Sequence, residues 1–402
     1  MKKIVILGGG FAGIKAGITL IKAKLKDTQI ILIDKNSYHL FTPSLYEVAN
    51  SEEPQKNIAI PFSEIFREKI NLIQAEIKKI TPNSNSLEII SNNQNQTIFY
   101  DYLIIALGSE ANFMNIEGLE KYSFPLKNLN DAIKIRDKIK SLCCSEGKCN
   151  RKTKVIIGGG SFSGCELAAE MLMYKEKLAK QNKLDPNCLD ISILQGSNHL
   201  LNELDPNISK IAQTRIKREN VHYLFGGHIK KVTDKKVFTD NNNSYDYDIL
   251  IWTGGVMANH ITKISNFTIN KHNGIIVNEN LQAKGFPNIF AIGDIAAFTD
   301  QQTQKSAPQV AQIAEDMGKT AAFNIINLIS KKPLRKYTIN HFGYIIPLKG
   351  HFAVAQLFNK IQINGFLAWA LQQLVYFYYL LTILPFYKAF KRWNKFEIDL
   401  KQ

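Results

Sequence analysis

Two glycine-rich segments, about 150 residues apart, constrain the fold of this chain more than any other feature. The first occupies residues 8–13 and the second residues 158–164. A short apolar run precedes each segment, and a stretch with a helical pattern follows it. In this strand–turn–helix order, glycine lets the backbone approach a pyrophosphate at the N-terminus of the helix. Each half of the chain therefore predicts a dinucleotide-binding unit.

The first segment carries the complete glycine fingerprint of such units. Gly8, Gly10 and Gly13 stand at its three glycine positions, and Asp34 closes the second apolar run. An acid at that point accepts hydrogen bonds from a ribose 2′-hydroxyl. The predicted cofactor-binding residues of this unit are Gly8, Gly9, Gly10, Phe11, Ala12, Gly13, Asp34, Lys35 and Ile77.

The second segment departs from the fingerprint at two positions. Gly159 and Gly164 keep two of the glycines, but Ser161 replaces the middle one and Gln195 replaces the acid. Ser161 crowds the pyrophosphate slightly, and Gln195 removes the charge that would repel a 2′-phosphate. We predict that Gly159, Gly164 and Gln195 bind NADH, with NADPH as an alternative. The other interpretation is a degenerate unit that binds no nucleotide.

The two halves also share a return strand. Residues 100–108 and 247–255 each read as an acid-capped apolar strand that ends in a glycine turn, about 100 residues after the corresponding loop. This internal duplication predicts an α/β chain with two Rossmann-like dinucleotide-binding domains. We assign residues 1–112 and 256–330 to a discontinuous FAD-binding domain and residues 113–255 to an NAD(P)H-binding domain.

Three further residues join the predicted cofactor-binding set of the first domain. Gly108 ends its return strand, and Gly293 and Asp294 follow its last apolar run. Asp294 is expected to hydrogen-bond the flavin ribityl chain. The backbone amides of the following helix are expected to face the pyrophosphate.

Charge is concentrated in the predicted membrane-associated region, residues 331–402. This region holds eleven Lys and Arg residues against only Glu397 and Asp399, within a chain of net charge +15. The excess predicts an anionic partner, either membrane lipid or nucleic acid. No nucleic-acid-binding module accompanies it, so we expect no nucleic acid.

The same region contains a long apolar segment. Residues 361–387 carry no charge and are long enough to span a bilayer, but polar residues and Pro385 interrupt them. After Pro385, Phe386, Phe390 and Trp393 recur at helical spacing. Basic residues occupy the other faces, at Lys388, Lys391, Arg392 and Lys395. The pattern favours a helical membrane-anchoring segment at the surface of anionic lipid. A buried homodimer interface and a true span are the alternatives.

The five cysteines are Cys143, Cys144, Cys149, Cys165 and Cys188. An odd, clustered set favours a reducing compartment over a disulfide framework. The first three lack an accompanying Cys or His pair, so we predict no metal site.

On four stretches the chain resembles the type II NADH dehydrogenases, single-polypeptide NADH:quinone oxidoreductases of respiratory membranes. Residues 34–49 are close to the segment that follows the second strand in that family. Residues 252–256 are similar to its Trp-Thr-Ala-Gly-Val turn, and residues 311–314 match its Ala-Gln-x-Ala stretch. Glu166 falls on its acidic position beside the nicotinamide and flavin. The resemblance covers nearly the whole chain and implies a glutathione-reductase-like fold.

The resemblance also implies an activity. Non-covalently bound FAD would accept a hydride from NADH at N5 and reduce a membrane quinone, ubiquinone or menaquinone, without proton pumping. The protein would lie on the cytoplasmic face of the cell membrane. Ala311 and Gln312 would lie near the flavin and the quinone. Glu166, in the first turn of its helix, would orient the nicotinamide or tune the flavin, although a simple helix-dipole role is the alternative.

Asp316 departs from the family pattern, which usually has glutamine four residues after Gln312. An acid there would donate a proton to the reduced quinone or alter the choice of quinone. The alternative is a solvated acid beside Glu315. The predicted catalytic residues are therefore Glu166, Gln312 and Asp316.

Two other functions compete with this one. A sulfide:quinone oxidoreductase shares the fold and the tail, but it needs a redox cysteine from the C-terminal third, and no cysteine follows Cys188. A membrane-bound redox-sensing flavoprotein is the second. We also expect that removing the residues after about 360 releases the protein from membranes while flavin stays bound.

Overall fold

Each apolar run that precedes a glycine-rich loop forms the middle strand of a parallel sheet. The computed structural model describes residues 1–50, 58–143, 152–180, 188–301, 303–358 and 360–399, with the backbone alone at 143, 177–180 and 395–399. The elements before residue 112 are β1 (Lys2–Leu7), α1 (Phe11–Lys22), β2 (Thr28–Asp34), β3 (Tyr38–Leu40), α2 (Leu45–Ala49), β4 (Ala59–Pro61), α3 (Phe62–Phe66), β5 (Asn71–Gln74), β6 (Glu76–Thr81), β7 (Ser86–Ser91), β8 (Gln94–Phe99), β9 (Tyr102–Ile105) and β10 (Ser109–Ala111).

The second glycine-rich loop lies within the next group of elements. These are α4 (Leu119–Tyr122), β11 (Phe124–Pro125), α5 (Leu129–Cys143), β12 (Thr153–Gly158), α6 (Phe162–Lys180), β13 (Leu189–Gln195), α7 (Pro206–Lys217), β14 (His222–Phe225), β15 (Ile229–Val232), β16 (Lys236–Thr239), β17 (Ser244–Asp246), β18 (Ile249–Trp252) and β19 (Val256–Ala258).

The chain then returns to the first unit and ends in two helices. The remaining elements are α8 (Ile261–Ile264), β20 (Ile275–Ile276), β21 (Ile289–Ala291), β22 (Ala296–Ala297), α9 (Ala311–Ile329), β23 (Gly343–Pro347), β24 (Ala353–Leu357), β25 (Ile361–Gly365), α10 (Phe366–Ile383) and α11 (Phe386–Asp399).

The two large parallel sheets have the same strand order. The first runs β21-β9-β1-β2-β5 and the second β11-β18-β12-β13-β14. In each, the strand before the glycine-rich loop pairs with the next strand on one side and the return strand on the other. Each loop thus leaves the carboxyl end of its sheet where the strand order reverses, which is where open α/β sheets bind ligands.

A short antiparallel pair connects the two units. Strand β10 pairs with β19, with Glu110 opposite Met257. The indole N–H of Trp252 donates to the Asn112 carbonyl at 2.9 Å. The domain boundaries proposed at 112 and 255 fall at this pair and stay predictions.

Helices α1 and α9 pack closely beside the first loop. A Cβ added at Gly318 of α9 would lie 2.2 Å from the Ala12 carbonyl oxygen, so only glycine permits this approach. The packing brings the N-terminal end of α9, with Ala311 and Gln312, into the same unit as the first glycine-rich loop.

The C-terminal region differs from the prediction in its first part. The apolar segment does not become helical at residue 361, because Ile361–Gly365 forms β25 at the edge of the three-stranded antiparallel sheet β23-β24-β25. Ile361 and Ile363 alternate with polar residues, which is a strand period. Gly365, at φ 78°, then turns the chain into α10.

Candidate functional site

The first glycine-rich loop has its three glycines for three different reasons. Gly8 adopts φ 96°, and a Cβ there would lie 2.4 Å from the Ala106 carbonyl oxygen. A Cβ at Gly13 would lie 1.9 Å from the Gly8 carbonyl oxygen. A Cβ at Gly10, in contrast, would meet no atom within 4 Å, and this residue caps α1 at φ −75°. The backbone at Gly10 is therefore open to a phosphate at the N-terminus of α1, where Phe11 and Ala12 follow.

Asp34 holds this loop from the end of β2. The Gly9 N–H donates to Oδ2 of Asp34 at 2.7 Å, and the Asn36 N–H donates to Oδ1 at 2.7 Å. Burial raises the pKa of Asp34, against the lowering effect of these two hydrogen bonds and of Lys35. Lys35 is exposed, whereas Ile77 is partly buried on β6 within the core of the same unit.

Asp294 belongs to a hydrogen-bonded chain that crosses the predicted domain boundary. The Ser109 hydroxyl donates to Oδ2 of Asp294 at 2.6 Å, and Lys127 Nζ donates to Ser109 Oγ at 3.0 Å. Burial lowers the pKa of Lys127, against the opposing effect of Asp294 and Asp131. The sequence pattern did not identify Ser109 or Lys127, because neither lies in a recognisable motif.

A 3₁₀ turn lies between the last apolar run and the following helix. Gly293 and Asp294 belong to this turn, Gly293–Ile295, and the following helix, α9, begins at Ala311. Gly293 at φ 70° and Gly108 at φ 66° both adopt the left-handed conformation that favours glycine. The helix N-terminus predicted to face a pyrophosphate is that of α9.

The second glycine-rich loop reproduces the construction of the first. Gly159 adopts φ 110°, and a Cβ at Gly164 would lie 1.9 Å from the Gly159 carbonyl oxygen. The Gly160 N–H donates to Oε1 of Gln195 at 2.8 Å, as Gly9 does to Asp34. The Ser161 hydroxyl donates to Oε1 of Glu203 at 3.1 Å. A neutral amide thus takes the structural place of the acid in the second unit.

Glu166 lies in a group of three glutamates from α2 and α6. It is the fifth residue of α6, so the expectation of a first-turn position was wrong and a helix-dipole role is weakened. Burial raises the pKa of Glu166 to about 8 and that of Glu170 to about 7. The pKa of Glu47 lies well above its ordinary value through burial and the nearby Glu170.

Tyrosine and glutamine connect this glutamate group to α10. Glu47 hydrogen-bonds to the side chains of Ser44 and Tyr46, and Tyr46 hydrogen-bonds to Gln372 of α10. Glu47 lies in the family-like segment 34–49, although it is not among the predicted site residues. Glu170, however, follows Glu166 by four residues, which is the spacing of one helix face.

Gln312 and Asp316 lie one turn apart near the start of α9. The Gln312 side-chain amide donates to the Asn340 carbonyl at 3.2 Å. Burial raises the pKa of Asp316, against the opposing effect of Lys319 and Lys15. Glu315 instead approaches Lys15 at 3.9 Å. Partial burial distinguishes Asp316 from a simple solvated acid.

Helix α10 has one buried and one exposed apolar face. Its inner face joins the main core through Tyr376, Tyr379, Leu380 and Ile383. The exposed apolar side chains of α10 and α11 are Phe366, Leu367, Leu374, Val375, Tyr378, Leu381, Phe386, Tyr387 and Phe390. Over the described ranges, Phe366–Ile383 is the one helix long and apolar enough to cross a membrane, with 28% of it buried.

The basic face predicted for α11 is corrected in part. Lys388 and Arg392 approach the carboxylate of Glu64 at 3.4 and 3.1 Å, so they pair within the protein. Trp393 packs on Phe377 of α10 at 5.1 Å between ring centroids. Lys391 remains exposed.

Cys165 lies against the second glycine-rich loop, where its thiol donates to the Gly160 carbonyl at 3.5 Å. Cys165 and Cys188 are buried, whereas Cys144 and Cys149 lie outside the described residues. Among the side chains that the structure describes, no group of three His, Cys, Asp or Glu could hold a metal ion.

The two parallel sheets have the same strand order, and each has a glycine-rich loop at its carboxyl end. This arrangement is typical of flavoproteins with two dinucleotide-binding units. The chain matches the family of pyridine nucleotide-disulphide oxidoreductases over residues 2–318, and it belongs to that family. The predicted α/β fold is thereby confirmed.

Relatives that match about nine-tenths of the chain share the name type II NADH:quinone oxidoreductase. The type II NADH:quinone oxidoreductase of Haemophilus influenzae is 28% identical over 400 residues, covering 90% of this chain and 89% of that protein. Its namesake in Staphylococcus saprophyticus is 25% identical over 370 residues, covering 89% of this chain and 90% of that protein. The predicted resemblance to this group is confirmed.

Two solved structures have the same fold. NDH2 from Plasmodium falciparum in complex with NADH has a TM-score of 0.86 at 23% identity, over 99% of this chain and 97% of that one. The sulfide:quinone oxidoreductase of Aquifex aeolicus has a TM-score of 0.77 at 20% identity, over 95% and 91%.

Proposed function

We propose that this chain is an FAD-dependent NADH:quinone oxidoreductase that works at a membrane without pumping protons. The observation that carries the proposal is the pair of equivalent phosphate loops, one closed by Asp34 and the other by Gln195. Relatives named type II NADH:quinone oxidoreductase cover about nine-tenths of the chain and support the same activity.

The first loop fits non-covalent FAD. Gly10 leaves the backbone open at the start of α1, and Asp34 is fixed where it can accept a ribose hydroxyl. Asp294, which accepts a hydrogen bond from Ser109, is the proposed ligand of the flavin's polyol chain. The chemistry that FAD supplies when bound is hydride acceptance at N5 and delivery of two electrons.

The second loop suits a dinucleotide that binds and leaves in each turnover. Gln195 accepts the Gly160 N–H without bringing a charge, which tolerates NADH and weakens the usual discrimination against NADPH. Ser161 holds Glu203 beside the loop. That carboxylate opposes tight pyrophosphate binding by like-charge repulsion and favours release of the oxidised nucleotide.

Protons are held by carboxyl groups on the two helices that border the site. With a pKa of about 8, Glu166 keeps its proton at neutral pH and can donate a hydrogen bond to a nicotinamide or flavin carbonyl. Asp316, one turn after Gln312, is the proposed proton donor to the reduced quinone, while Gln312 orients the quinone carbonyl.

The exposed face of α10 and α11 is the proposed membrane contact. It gathers large apolar side chains on the two helices whose inner faces pack against the first unit. We propose binding at the cytoplasmic surface of the cell membrane, with quinone entering from the lipid. A homodimer that buries the same face is the alternative.

Steady-state kinetics on the purified full chain test this proposal. NADH and NADPH are each combined with soluble ubiquinone and menaquinone analogues, and flavin is followed by stopped-flow absorbance. We expect bound FAD that NADH reduces and a quinone rapidly reoxidises. Flavin that NADH reduces but quinone leaves reduced would indicate a redox sensor instead. Sulfide-dependent reduction of quinone would favour the sulfide:quinone alternative, although no cysteine follows Cys188.

A further inference from the structure

One histidine connects the first phosphate loop to the C-terminal helix. His39 of β3 is fully buried. Its Nδ1 lies 3.0 Å from the Gly9 carbonyl oxygen, and its Nε2 lies 2.6 Å from the hydroxyl of Tyr379 on α10. These three residues are separated by 30 and 340 positions in the chain, and the proposed chemistry uses neither His39 nor Tyr379.

The direction of both hydrogen bonds follows from the groups involved. A carbonyl oxygen only accepts, so Nδ1 of His39 carries the hydrogen. Burial lowers the pKa of His39 to about 4, so the ring is neutral and Nε2 is an acceptor. The hydroxyl of Tyr379 therefore donates, and burial raises the pKa of that hydroxyl well above its ordinary value. The chain runs in one direction, from α10 to Gly9.

Gly9 is consequently held at both of its backbone groups. Its N–H donates to Asp34 and its carbonyl accepts from His39. The peptide that begins with this carbonyl carries the Gly10 N–H, which lies at the open part of the loop. Hydrogen bonding at the carbonyl polarises that peptide and strengthens its N–H as a donor.

Aromatic packing fixes the same connection. The ring of Phe11, the first residue of α1, lies 4.9 Å from His39 and 5.0 Å from Tyr379 between centroids. Phe41 lies 5.4 Å from Tyr379. Tyr378, the preceding residue on α10, points outward and is 69% exposed. The helix thus contacts the loop with one face while the other faces solvent or lipid.

We propose that His39 and Tyr379 are positioning residues, through which the seating of α10 holds the Gly9–Gly10 peptide for the cofactor phosphates. The inference rests on the proposed binding of FAD at this loop. It makes flavin retention depend on the helix that carries the membrane face.

Flavin release from the full-length holoenzyme tests this inference. Tyr379→Phe removes one buried hydrogen bond and is expected to speed FAD dissociation about fivefold, followed by the rise in free-flavin fluorescence. His39→Asn keeps a donor for Gly9 and loses the acceptor for Tyr379, so it is expected to behave similarly. The double variant should be no faster than either single one, because both changes break one chain. Tyr378→Phe is the matched control and should release FAD at the wild-type rate.

The outcomes separate the two proposals. FAD-loaded Tyr379→Phe and His39→Asn that release flavin as slowly as the wild type would overturn this inference alone. Additive effects in the double variant would also overturn it, since they indicate two independent structural losses. A wild type that binds no FAD would overturn the proposed function and this inference together. If Tyr379→Phe failed to fold, His39→Asn would be tested instead. The unfolding temperature of its apoprotein, compared with that of the wild-type apoprotein, would show whether the variant is folded.

Discussion

At the residue scale, the site is distinguished by three glutamates with raised pKa values, Glu47, Glu166 and Glu170. Carboxyl groups of glutamate normally ionise near pH 4.5, but burial raises the pKa of Glu166 to about 8 and that of Glu170 to about 7. Burial disfavours the charged form of both carboxyl groups, so Glu166 keeps its proton at neutral pH and Glu170 titrates near it. Under the proposed function, such groups could supply protons during the reduction of a quinone.

The stability of the protein should report on Glu166. Because its folded pKa lies above its unfolded value, the folded chain keeps a proton that the unfolded chain releases between about pH 4.5 and 8. The free energy of unfolding therefore falls as pH rises through this window. We expect Glu166→Gln to remove most of that fall, so that the stability of the variant relative to the wild type rises by about 3 kcal/mol between pH 5 and pH 8. Denaturant unfolding at both pH values measures this, and equal pH slopes would contradict it.

Cofactor choice should depend on Gln195. Its amide takes the place that Asp34 takes in the first loop, but without a charge. Gln195→Asp restores an acid where a 2′-phosphate would lie, so kcat/KM for NADPH should fall about tenfold relative to that for NADH. Gln195→Asn, which stays neutral, is the control. An unchanged NADPH to NADH ratio in Gln195→Asp would mean that this position does not face the ribose.

At the element scale, the two glycine positions of the first loop should separate folding from cofactor binding. Gly10 has φ −75° and open space around it, so Gly10→Ala should fold with wild-type stability but lose FAD affinity at least tenfold. A Cβ at Gly13 would collide with the Gly8 carbonyl, so Gly13→Ala should cost about 1–3 kcal/mol of stability even without cofactor. Thermal unfolding of both apoproteins, with FAD titration, checks the contrast. Comparable destabilisation of the two variants would contradict it.

Local periodicity predicted the elements well where one period dominated. Continuous apolar runs identified β1 and β12, and the glycine spacing placed both loops at helix starts. The segment after residue 361 combined two periods, a strand alternation and then a helix, and uniform hydrophobicity concealed the boundary at Gly365. The start of α9 at Ala311 could not be predicted, because Gly293 and Asp294 give no length for the loop that follows.

Contacts between distant residues account for what sequence reasoning missed in the site. Tyr379, Ser109 and Lys127 lie in no recognisable motif, and each acquires a role only when the fold joins it to His39 or to Asp294. Glu64 is a similar case, since its pairing with Lys388 and Arg392 removes two of the charges predicted to face lipid. The local sequence indicated each charge but not its partner.

At the scale of the whole molecule, the C-terminal helices are part of the fold as well as its outer surface. Tyr376, Tyr379 and Leu380 lie in the main core, so removing the residues after about 360 would open that core and break the link to His39. The expectation that such a truncation simply leaves flavin bound is therefore revised. Substitutions on the exposed face are a cleaner test of membrane binding than removal of the helices.

Leu374 and Tyr378 offer that test, because they are 62% and 69% exposed on α10. Leu374→Asp combined with Tyr378→Asp removes apolar contact worth about 1.5–3 kcal/mol per side chain, so binding to vesicles of phosphatidylcholine and phosphatidylglycerol should weaken at least tenfold. FAD content should be unchanged. Phe99→Asp, at a 60% exposed phenylalanine of β8, is the control and should bind vesicles normally.

Since Lys388 and Arg392 pair with Glu64, high salt should weaken wild-type binding less than the double substitution does. A double variant that binds vesicles normally but changes from dimer to monomer in sedimentation would assign this face to a homodimer instead.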